Sequence, residues 1–570
     1  MKPIAVIVLG QNSIPVARKL MAVLDGATLY GLVERTEDVD VSYSNFGETL
    51  RQLFSDGTPI IGFCAAGILI RTLAPLLTDK RYEPSVLAVA EDGSAVVPLL
   101  GGLHGVNDLA RLIATALNVQ PAITTTGDIR FRTALLAPPT GYHLANPEAA
   151  KTFIADLLAG ATLQIEGKAP WLNEGNLPIQ EAGKLTICVT EKTVVSRDDC
   201  LVYHPATLAI AICLLSNNIE PETAVSFVQQ VLENHNLAAA SVAAIFADKT
   251  DMGHPALAAI AESLQVPVRF FKETQTVAEI ALQAVGNAGK LIVSEQQLGI
   301  NLAVAIAEKP LNPDNIGQPQ GKLAIVGTGP GGVQWMSPEV QQILRQATDW
   351  VGYKVYLDLA GTLGKGQRRH DSDNREELDR ARFALDLAAE GKSVAVVSSG
   401  DPGIFAMAAA VLEALESAAK PEWEGIEIQV APGISAMQAV AAAIGAPLGH
   451  DFCVISLSDL LKPWAVIEQR LLAAAEADLA IAIYNPISKQ RTWQLGEART
   501  LLLQKRSPET PVILGRNLGR AGQSLKVCTL AEFNPESADM RTLVIIGSSQ
   551  TRIIERKYGG VWVYTPRRYD

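Results

Sequence analysis

Glycine, proline and polar residues follow apolar runs at several points in the second half of the chain. SSGDPGIF (Ser398–Phe405), VAPGISA (Val430–Ala436), IAIYNP (Ile481–Pro486) and TLVIIG (Thr542–Gly547) each contain or follow a predicted strand. Ligands of open α/β sheets bind at the carboxyl ends of the strands, and glycine lets a backbone approach a ligand closely. The pattern therefore predicts a small-molecule site at the carboxyl ends of these strands.

An earlier glycine motif, GTGPGG (Gly327–Gly332), satisfies the G-x-G-x-x-G pattern of dinucleotide-binding folds. Three features argue against a pyrophosphate ligand. Ser337 and Pro338 predict a helix that begins about five residues after the last glycine. Pro330 has no N–H to donate to a phosphate, and no acidic residue ends the next predicted strand near Tyr353. We interpret these glycines as room for close backbone approach, with an ordinary tight turn as the alternative.

Short Val/Ile/Leu runs alternate with Ala/Leu/Glu-rich stretches along the whole chain. This alternation is typical of α/β folds with several Rossmann-like parallel-sheet domains. LAIAICLLSNN (Leu208–Asn218) is interpreted as an apolar helix, and Pro205 and Pro255 as the first residues of helices. The predicted strands are Ile4–Leu9, Ile60–Cys64, Ala122–Thr126, Lys184–Val189, Ala324–Gly327 and Val394–Ser398.

Composition limits the class of protein. The chain has 570 residues, 48% hydrophobic and 19% charged, which is more than one compact domain holds. A formal net charge of −12 argues against nucleic acid as a partner, because phosphate binding needs clustered Lys and Arg. The six cysteines lack metal-ligand spacing and are expected to be reduced. No apolar run approaches the roughly 20 residues that span a bilayer, so we expect a soluble, cytoplasmic protein without a membrane partner.

The main domain boundary is predicted at AEKPLNPDNIGQPQGK (Ala307–Lys322), where proline and glycine interrupt the periodicity. A weaker boundary is expected at Lys168–Lys184, and a hinge at Ala443–Phe452. The predicted domains are 1–165, 184–308 and 322–570, with a linker over 309–321 and a division of the last domain into subdomains at about 322–442 and 447–570.

In order and spacing, the motifs of residues 322–570 resemble those of the tetrapyrrole methyltransferases of cobalamin biosynthesis, in particular the precorrin-3B C17-methyltransferase branch. The resemblance implies a two-subdomain α/β fold, S-adenosylmethionine in the cleft, a precorrin or cobalt-precorrin substrate and a homodimer. Asp401 can also be explained as a turn residue, and Tyr484 as sheet packing. The residues that the resemblance assigns to the cofactor are Pro330, Gly400, Asp401, Ile404, Phe405, Ser435, Ala436, Tyr484, Asn485 and Thr542.

Methyl transfer depends on positioning more than on acid–base chemistry, since the sulfonium is already electrophilic. The resemblance also implies contraction of the macrocycle with formation of a ring-A lactone, a step that needs a proton donor or acceptor. Tyr353, Lys354 and His370, which are expected near the glycine-rich mouth, are the candidates, each with a structural role as the alternative. The substrate carries many carboxylates, so arginines that bind two oxygens are candidate clamps. These arginines are Arg368, Arg369, Arg516 and Arg520.

The first half of the chain, over most of residues 1–310, resembles the cobalt-precorrin-5A hydrolases, which open the ring-A lactone and release a two-carbon fragment. Cys64–Lys80 and the stretch from Leu87 to Asp128 carry the resemblance. Lactone opening needs a base and donors for an oxyanion. The candidates are His104 in GGLHGVN and Asp128, which is expected at a strand terminus, with Glu91 and Asp92 as the alternative bases. A turn histidine and a helix cap are the alternatives.

Two positions depart from the hydrolase pattern. Leu103 stands where a histidine is expected, and Leu208–Asn218 stands where the family shows a glycine, cysteine and arginine stretch. A non-catalytic corrinoid-binding or scaffolding role is therefore the alternative for this half. For the whole chain, the competing class is a dinucleotide-dependent enzyme. The sequence leaves open whether the substrate already contains cobalt.

Overall fold

Parallel strands with helices between them form both halves of the chain, which confirms the α/β class that the alternation of apolar runs predicts. Two compact units divide the chain, Met1–Pro319 and Gln320–Asp570. In the described part of the chain, no helix is both long and apolar enough to cross a bilayer. The computed structural model describes residues 3–24, 26–80, 82–133, 135–216, 218–272, 276–364, 366–372, 377–418 and 420–568.

The first sheet of the first unit has six strands. Its elements are β1 (Ala5–Val8), α1 (Ile14–Met21), β2 (Thr28–Leu32), β3 (Val41–Tyr43), α2 (Phe46–Ser55), β4 (Ile60–Phe63), α3 (Ala66–Leu73), β5 (Val86–Val89), β6 (Val96–Leu100), α4 (Val106–Leu117) and α5 (Thr126–Phe131). The strand order is β3-β2-β1-β4-β5-β6, with only β6 antiparallel to its neighbour. Helices α1 and α4 pack on one face of the sheet, and α2 and α3 on the other.

The second sheet has four strands in the order β7-β10-β9-β8. They and one helix are β7 (Tyr142–Leu144), α6 (Ala150–Leu158), β8 (Leu163–Glu166), β9 (Leu185–Val189) and β10 (Cys200–Pro205). Segment Lys168–Lys184, where the sequence predicts a weaker boundary, connects β8 to β9, which are parallel neighbours in this sheet. Tyr203 lies fully buried in its core and donates its hydroxyl to the Leu135 carbonyl at 2.6 Å.

The third sheet has helices on both faces. Its elements are β11 (Leu208–Leu214), α7 (Pro221–Asn234), β12 (Val242–Asp248), α8 (Pro255–Leu264), β13 (Val268–Phe271), α9 (Val277–Val285), β14 (Lys290–Gln297) and β15 (Ile300–Ile306). The order is β13-β12-β11-β15-β14, in which β11, β12 and β13 are parallel. Leu208, Ile210 and Ile212 pack with α7 and α8, whereas Ala209 and Ala211 pack with α9.

Three local predictions for the first unit are wrong. Leu208–Leu214 is a central strand rather than a helix. A continuous apolar run is compatible with either a buried strand or a buried helix. The alternation of large side chains with alanine along this run was the available signal for a strand. Pro205 ends β10 instead of starting a helix, although Pro255 does start α8 as predicted. Ala122–Thr126 is not a strand, because its pairing is limited to a bridge between Pro121 and Val96 before α5 begins.

The fourth sheet opens the second unit and consists of five parallel strands. Its elements are β16 (Lys322–Gly327), α10 (Pro338–Gln346), β17 (Asp349–Tyr353), α11 (Lys354–Ala360), β18 (Arg368–Ser372), α12 (Glu377–Ala389), β19 (Ser393–Ser398), α13 (Met407–Ala418) and β20 (Glu427–Ala431). The order is β18-β17-β19-β16-β20. The predicted late helix start is confirmed, since α10 begins at Pro338 and the Ser337 hydroxyl accepts from the Val340 N–H.

The remaining elements form a fifth, mixed sheet and a small three-stranded sheet. They are α14 (Ala436–Ile444), β21 (Gly445–Ala446), β22 (Phe452–Ser456), α15 (Trp464–Glu476), β23 (Ala480–Tyr484), α16 (Gln494–Leu503), β24 (Pro511–Arg516), β25 (Ser524–Thr529), β26 (Thr542–Ile546), β27 (Arg552–Glu555) and β28 (Val561–Tyr564). The fifth sheet has the order β22-β23-β26-β24-β25. Strands β22, β23 and β24 run in the same direction, so their carboxyl ends share one edge.

Replacing Tyr203 by Phe tests the buried hydrogen bond of the second sheet. The change leaves the Leu135 carbonyl without its donor, and we expect the free energy of unfolding of the first unit to fall by about 1–2 kcal/mol. Urea unfolding followed by circular dichroism measures the loss. Tyr558→Phe is the matched control, because Tyr558 is 91% exposed, and it should leave stability unchanged. Equal effects of the two changes would contradict the assigned role.

Candidate functional site

Three loops of the second unit meet at the carboxyl edge of the fourth sheet. Gly329 and Gly400 exchange backbone hydrogen bonds of 3.2 and 2.8 Å, which joins the loops after β16 and β19. A Cβ added to Gly433, in the loop after β20, would lie 2.2 Å from the Gly400 oxygen and 2.5 Å from the Gly327 oxygen. Only glycine fits these positions, in agreement with the interpretation of the motif as room for close backbone approach.

Asp401 holds two of these loops together. One carboxylate oxygen accepts from the Gly403 N–H at 2.8 Å, and the other accepts from the Gly433 N–H at 3.1 Å. The first contact is the turn contact expected of an Asp-Pro-Gly sequence. The second contact crosses from the loop after β19 to the loop after β20. Asp401 therefore shapes the edge and brings a negative charge to it.

Two aromatic rings lie beside this carboxylate. The Tyr484 and Phe405 ring centroids are 5.4 Å apart, and Phe405 is 51% exposed. The Tyr484 hydroxyl accepts from the Met437 N–H at 3.1 Å, in the first turn of α14, and Ser435 caps the same helix. Burial, aided by the charge of Asp401, raises the pKa of Tyr484 above its usual value despite these hydrogen bonds. The phenol is therefore neutral and fixed in position at neutral pH.

The predicted residues at the end of β23 lie on the same edge of the fifth sheet. Asn485 has a left-handed backbone and donates its amide to the Ser456 hydroxyl at 3.0 Å. Thr542 starts β26, pairs with Arg516, and donates to Asp539. Ile404 and Ala436 lie half-buried next to Phe405 and Ser435 in the chain.

Arg491 is a residue of this edge that the sequence argument did not select. It is 6% exposed, and it donates to the Asn485 carbonyl at 2.9 Å and to the Ser458 hydroxyl at 3.4 Å. Its position seven residues after Tyr484, in YNPISKQR, was the available signal. Arg491 holds the left-handed turn that follows Tyr484.

A contact between loops joins the fourth and fifth sheets. Arg520 donates to the Pro330 carbonyl and to the Ser399 hydroxyl, both at 2.6 Å. A Cβ on Gly331 would lie 2.0 Å from the Gly519 oxygen, so the two backbones touch. Burial lowers the pKa of Arg520, and Tyr356 partly offsets this effect. Arg520 has no carboxylate partner among the residues that the structure describes.

Tyrosines add a second polar group to the same region. Tyr353 ends β17, and its ring meets Tyr356 edge-on at 5.2 Å. Burial raises the pKa of Tyr356, and the positive charge of Arg520 acts in the opposite direction. Tyr356 was not selected from the sequence, although it lies three residues after Tyr353 on the following helix. The structure thus brings Tyr353, Tyr356 and Arg520 together.

Two other predicted residues lie elsewhere. His370 and Arg368 both bind the same Asp349 oxygen, at 2.8 and 3.3 Å. Asp349 starts β17 and its side chain is fully buried, so this cluster lies toward the amino ends of the strands. The expectation that His370 lies near the glycine-rich mouth is wrong, because the register pairs Arg368 with Asp349 at the beginning of both strands.

The remaining cationic candidates are ion-paired. Lys354 contacts Asp358 at 3.2 Å, and Arg369 contacts Asp358 at 2.7 Å and also Asp371. Arg516 contacts Asp539 at 2.8 Å. These carboxylates already occupy the groups that a substrate carboxylate would need.

In the first unit, the predicted base lies on a helix and not at a strand terminus. Asp128 is the third residue of α5, is 4% exposed, and accepts from Asn107 and Arg111. Thr125 and not Asp128 occupies the helix N-cap, so the cap alternative is wrong as well. His104 is exposed in a turn, and its carbonyl accepts from the Ser85 hydroxyl at 2.7 Å. Asn107 thus connects the GGLHGVN motif to Asp128.

The site of the second unit has few groups that could act as an acid or a base. It offers one carboxylate, neutral phenols, a hydroxyl and an amide around a backbone cradle. Across the described ranges, no three His, Cys, Asp or Glu side chains are grouped to hold a metal ion. Such an edge can bind and orient a ligand and exclude water, which is what group transfer from an activated donor needs.

Comparison with known proteins identifies the family. Residues 322–534 match the model of the tetrapyrrole (corrin/porphyrin) methylases, and residues 48–128 match the N-terminal domain of cobalamin synthesis protein G. A relative that the chain covers almost completely supports the first match. Through its second unit, the chain belongs to the tetrapyrrole methylases, a family of methyltransferases.

Three similar proteins make the comparison more specific. The precorrin-3B C(17)-methyltransferase of a Sinorhizobium species is 55% identical over 249 residues, which cover 44% of this chain and 97% of that protein. Cobalamin biosynthesis protein CobIJ of Mycobacterium tuberculosis is 53% identical over 253 residues, 44% of this chain and 48% of CobIJ. The chain therefore spans about half the length of that relative. The crystal structure of the methyltransferase CobJ is 48% identical, with a TM-score of 0.41, and covers 43% of this chain and 100% of its own.

Replacing Asp349 by Asn tests the buried cluster at the amino ends of the strands. Burial raises the pKa of Asp349, but hydrogen bonds from His370 and Thr348 and the charge of Arg368 outweigh it, and the pKa falls below its usual value. We expect Asp349→Asn to destabilise the second unit by about 1–2 kcal/mol at neutral pH, because the buried carboxylate loses its hydrogen bonds from His370 and Thr348, while Arg368 is exposed and largely screened by solvent. Urea unfolding measures the loss.

The pH dependence of this loss has a defined sign. A carboxyl group whose pKa is lowered by folding stabilises the fold above its unfolded pKa, and this contribution disappears as the pH falls through the folded pKa. The difference between wild type and Asp349→Asn should therefore shrink below about pH 4. Asp379→Asn is the control, because it removes only an exposed ion pair with Arg382. It should lower the free energy of unfolding by less than about 0.5 kcal/mol, both at neutral pH and below about pH 4. A loss that is constant with pH would show that the charge of Asp349 is not its cause.

Proposed function

We propose that residues 322–570 transfer a methyl group from S-adenosylmethionine to C17 of precorrin-3B or cobalt-factor III, with contraction of the macrocycle. Residues 1–308 open the ring-A lactone of cobalt-precorrin-5A. The similarity to the Sinorhizobium enzyme over nearly its full length supports the first activity, and the match of residues 48–128 supports the second. We also propose the domain limits 1–165, 184–308 and 322–570, a homodimer formed through the last domain, and a cytoplasmic location.

One observation carries the choice of cofactor. The edge places the negative charge of Asp401 beside the rings of Tyr484 and Phe405. The backbones of the neighbouring loops touch at Gly433. A carboxylate and aromatic faces stabilise a cation such as a sulfonium, and they disfavour the anionic pyrophosphate of a dinucleotide. Pro330, whose missing N–H and buried carbonyl offer nothing to a phosphate, supports the same choice.

The residues of the edge then have distinct tasks. Bound S-adenosylmethionine supplies an electrophilic methyl group. Asp401 keeps the loops after β19 and β20 together, Gly433 lets these loops touch, and Gly400 leaves room for the cofactor beside the backbone. Tyr484, held by α14, and Asn485, held by Arg491, close the side that belongs to the fifth sheet. Ile404, Phe405, Ser435, Ala436 and Thr542 complete the proposed pocket.

Among the four candidate arginines, Arg520 is the one proposed to bind substrate carboxylates. It is the arginine of that group without a carboxylate partner in the described structure, and it donates to a neutral carbonyl and a neutral hydroxyl, with the positive charge of Arg541 nearby. Tyr353 is the proposed proton donor or acceptor for ring contraction, since it lies beside Tyr356 and Arg520 at the carboxyl edge. Lys354 and His370 are less suitable because Asp358 and Asp349 bind them.

Methyl transfer tests this proposal. The full chain should transfer labelled methyl from S-adenosylmethionine to precorrin-3B or cobalt-factor III. Gly433→Ala should slow the transfer by about 100-fold, because its Cβ pushes the loops apart at the reacting groups. Gly496→Ala is the control, since a Cβ there meets nothing within 4 Å, and it should retain the wild-type rate. Binding of NAD without any methyl transfer would contradict the proposal, and comparison of the two substrates decides the metal question.

Release of acetaldehyde tests the hydrolase half. Incubated with cobalt-precorrin-5A, the full chain should release acetaldehyde, and the Gly433→Ala chain should release it at the same rate because the lesion lies in the other unit. An enzymatic assay coupled to alcohol dehydrogenase measures the product. If the corrinoid binds without release of acetaldehyde, the first unit is a binding module and the hydrolase proposal is wrong.

A further inference from the structure

The loop after β22, residues 457–463, lies beside the proposed cofactor pocket of the second unit. Ser456 ends β22 and pairs with Tyr484 at the end of β23, and the Leu457 N–H donates to the Tyr484 carbonyl at 3.0 Å. The two strands are parallel, so their carboxyl ends meet at one edge of the sheet. The loop 457–463 therefore leaves the sheet next to the turn at Tyr484 and Asn485.

One arginine joins the loop 457–463 to this turn. Arg491 donates to the Ser458 hydroxyl at 3.4 Å and to the Asn485 carbonyl at 2.9 Å. An extended chain spans at most about 3.6 Å per residue, so the Cα atom of Leu460 lies within about 7 Å of that of Ser458. Leu460 is therefore a short distance from a residue of the proposed pocket.

The loop 457–463 is fixed on both sides of its tip by contacts with the start of α16. On one side, the Gln494 amide donates to Asp459 Oδ2 at 2.9 Å. On the other side, the Trp464 ring, at the start of α15, meets the Trp493 ring edge-on with centroids 4.9 Å apart. The residues between Asp459 and Trp464 thus span two fixed points, so little conformational freedom is lost when they bind a ligand.

The tip of the loop exposes two adjacent leucines. Leu460 is 75% exposed and Leu461 is 95% exposed. Single exposed apolar side chains are ordinary on a protein surface, but these two are neighbours on a fixed loop beside a proposed binding site. Ligand sites are lined mainly by apolar side chains with a few polar groups among them. The leucines therefore suit a ligand that has an apolar face.

Lys462 adds a positive charge to the same tip. Burial lowers the pKa of Lys462, and the charge of Arg470 acts in the same direction. Over the part of the chain that the structure describes, Lys462 has no carboxylate partner. The nearby Asp459 is bound by Gln494 instead. A carboxylate of a ligand would stabilise the protonated amine and pair with it.

We propose that Leu460, Leu461 and Lys462 form a contact surface for the tetrapyrrole substrate of the second unit. The two leucines cover part of the apolar face of the macrocycle, and Lys462 binds one of the carboxylates around it. The inference rests on the proposed methyltransferase function, because the macrocycle must lie against the cofactor to receive the methyl group. It adds to Arg520 a second cation for the substrate, on the loop 457–463.

Replacement of both leucines by serine tests the apolar contact. In the full chain, Leu460→Ser with Leu461→Ser should raise the KM for the tetrapyrrole that the wild type methylates by about tenfold or more, since apolar surface then stays in water. The Kd for S-adenosylmethionine, measured by calorimetry, should stay unchanged. Leu412→Ser is the control, because Leu412 is 53% exposed on α13, and it should keep the wild-type KM.

Replacement of Lys462 by Met tests the charge. The KM for the tetrapyrrole should rise by about threefold at low salt, and the difference from the wild type should shrink at high salt because salt screens an ion pair near the surface. Lys526→Met is the matched control, since Lys526 is exposed in the middle of β25. It should keep the wild-type KM at both salt concentrations.

The outcomes separate this inference from the proposed function. A wild-type chain that methylates neither tetrapyrrole overturns both. An active wild type whose double serine variant keeps the KM overturns only the inference, and dissociation of a dimer in that variant would assign the leucines to a second copy of the chain. An equal rise in the Kd for S-adenosylmethionine would assign the loop to the cofactor and also contradict the inference. If circular dichroism shows that the double variant is unfolded, Lys462→Met decides, and an unchanged KM there overturns the proposal.

Discussion

Backbone atoms of Gly327, Gly400 and Gly433 touch at the carboxyl edge of the fourth sheet, and the site of the second unit is built on this contact. Because no side chain fits between the three loops, they lie closer together than loops with side chains could. The contact brings the Gly433 N–H within reach of Asp401. It also fixes the loop after β16, whose Pro330 carbonyl accepts from Arg520. One steric constraint thus orients a carboxylate and joins two sheets.

Charged groups of the second unit fall into two classes with different partners. One class is paired with opposite charges and stabilises strands and loops; it contains Asp349, Arg368, Arg369 and Arg516. Arg520 and Arg491 bind mainly neutral carbonyl and hydroxyl oxygens instead. A cation that is held by neutral groups keeps its full charge for a ligand, and both such arginines lie at the carboxyl edge.

The motifs predicted the fold class, the close approach of the glycine loops and the late start of α10, because each follows from local backbone chemistry. Some wrong predictions, such as the helix at Leu208–Leu214 and the helix start at Pro205, concern local structure, and the others concern long-range pairing. Nothing near His370 in the sequence indicates that β18 pairs with β17 from its first residue, which places His370 on Asp349. Likewise, the sequence does not show that the Asp128 carboxylate is bound by Arg111, because Arg111 lies on another helix. Tyr356 was missed because its role depends on Arg520, which is distant in the chain. Arg491 was missed because its sequence position does not show that its side chain turns back onto the Asn485 carbonyl.

Strand β11 carries large side chains toward α7 and α8 and methyl groups toward α9. Its backbone therefore lies nearer to one helical layer than to the other. A single inserted or deleted residue at the start of this strand would exchange the two faces and force leucine and isoleucine into the narrow side. Length changes in this part of the gene should be rarer than substitutions, and those that persist should occur in the loops before Leu208 or after Leu214.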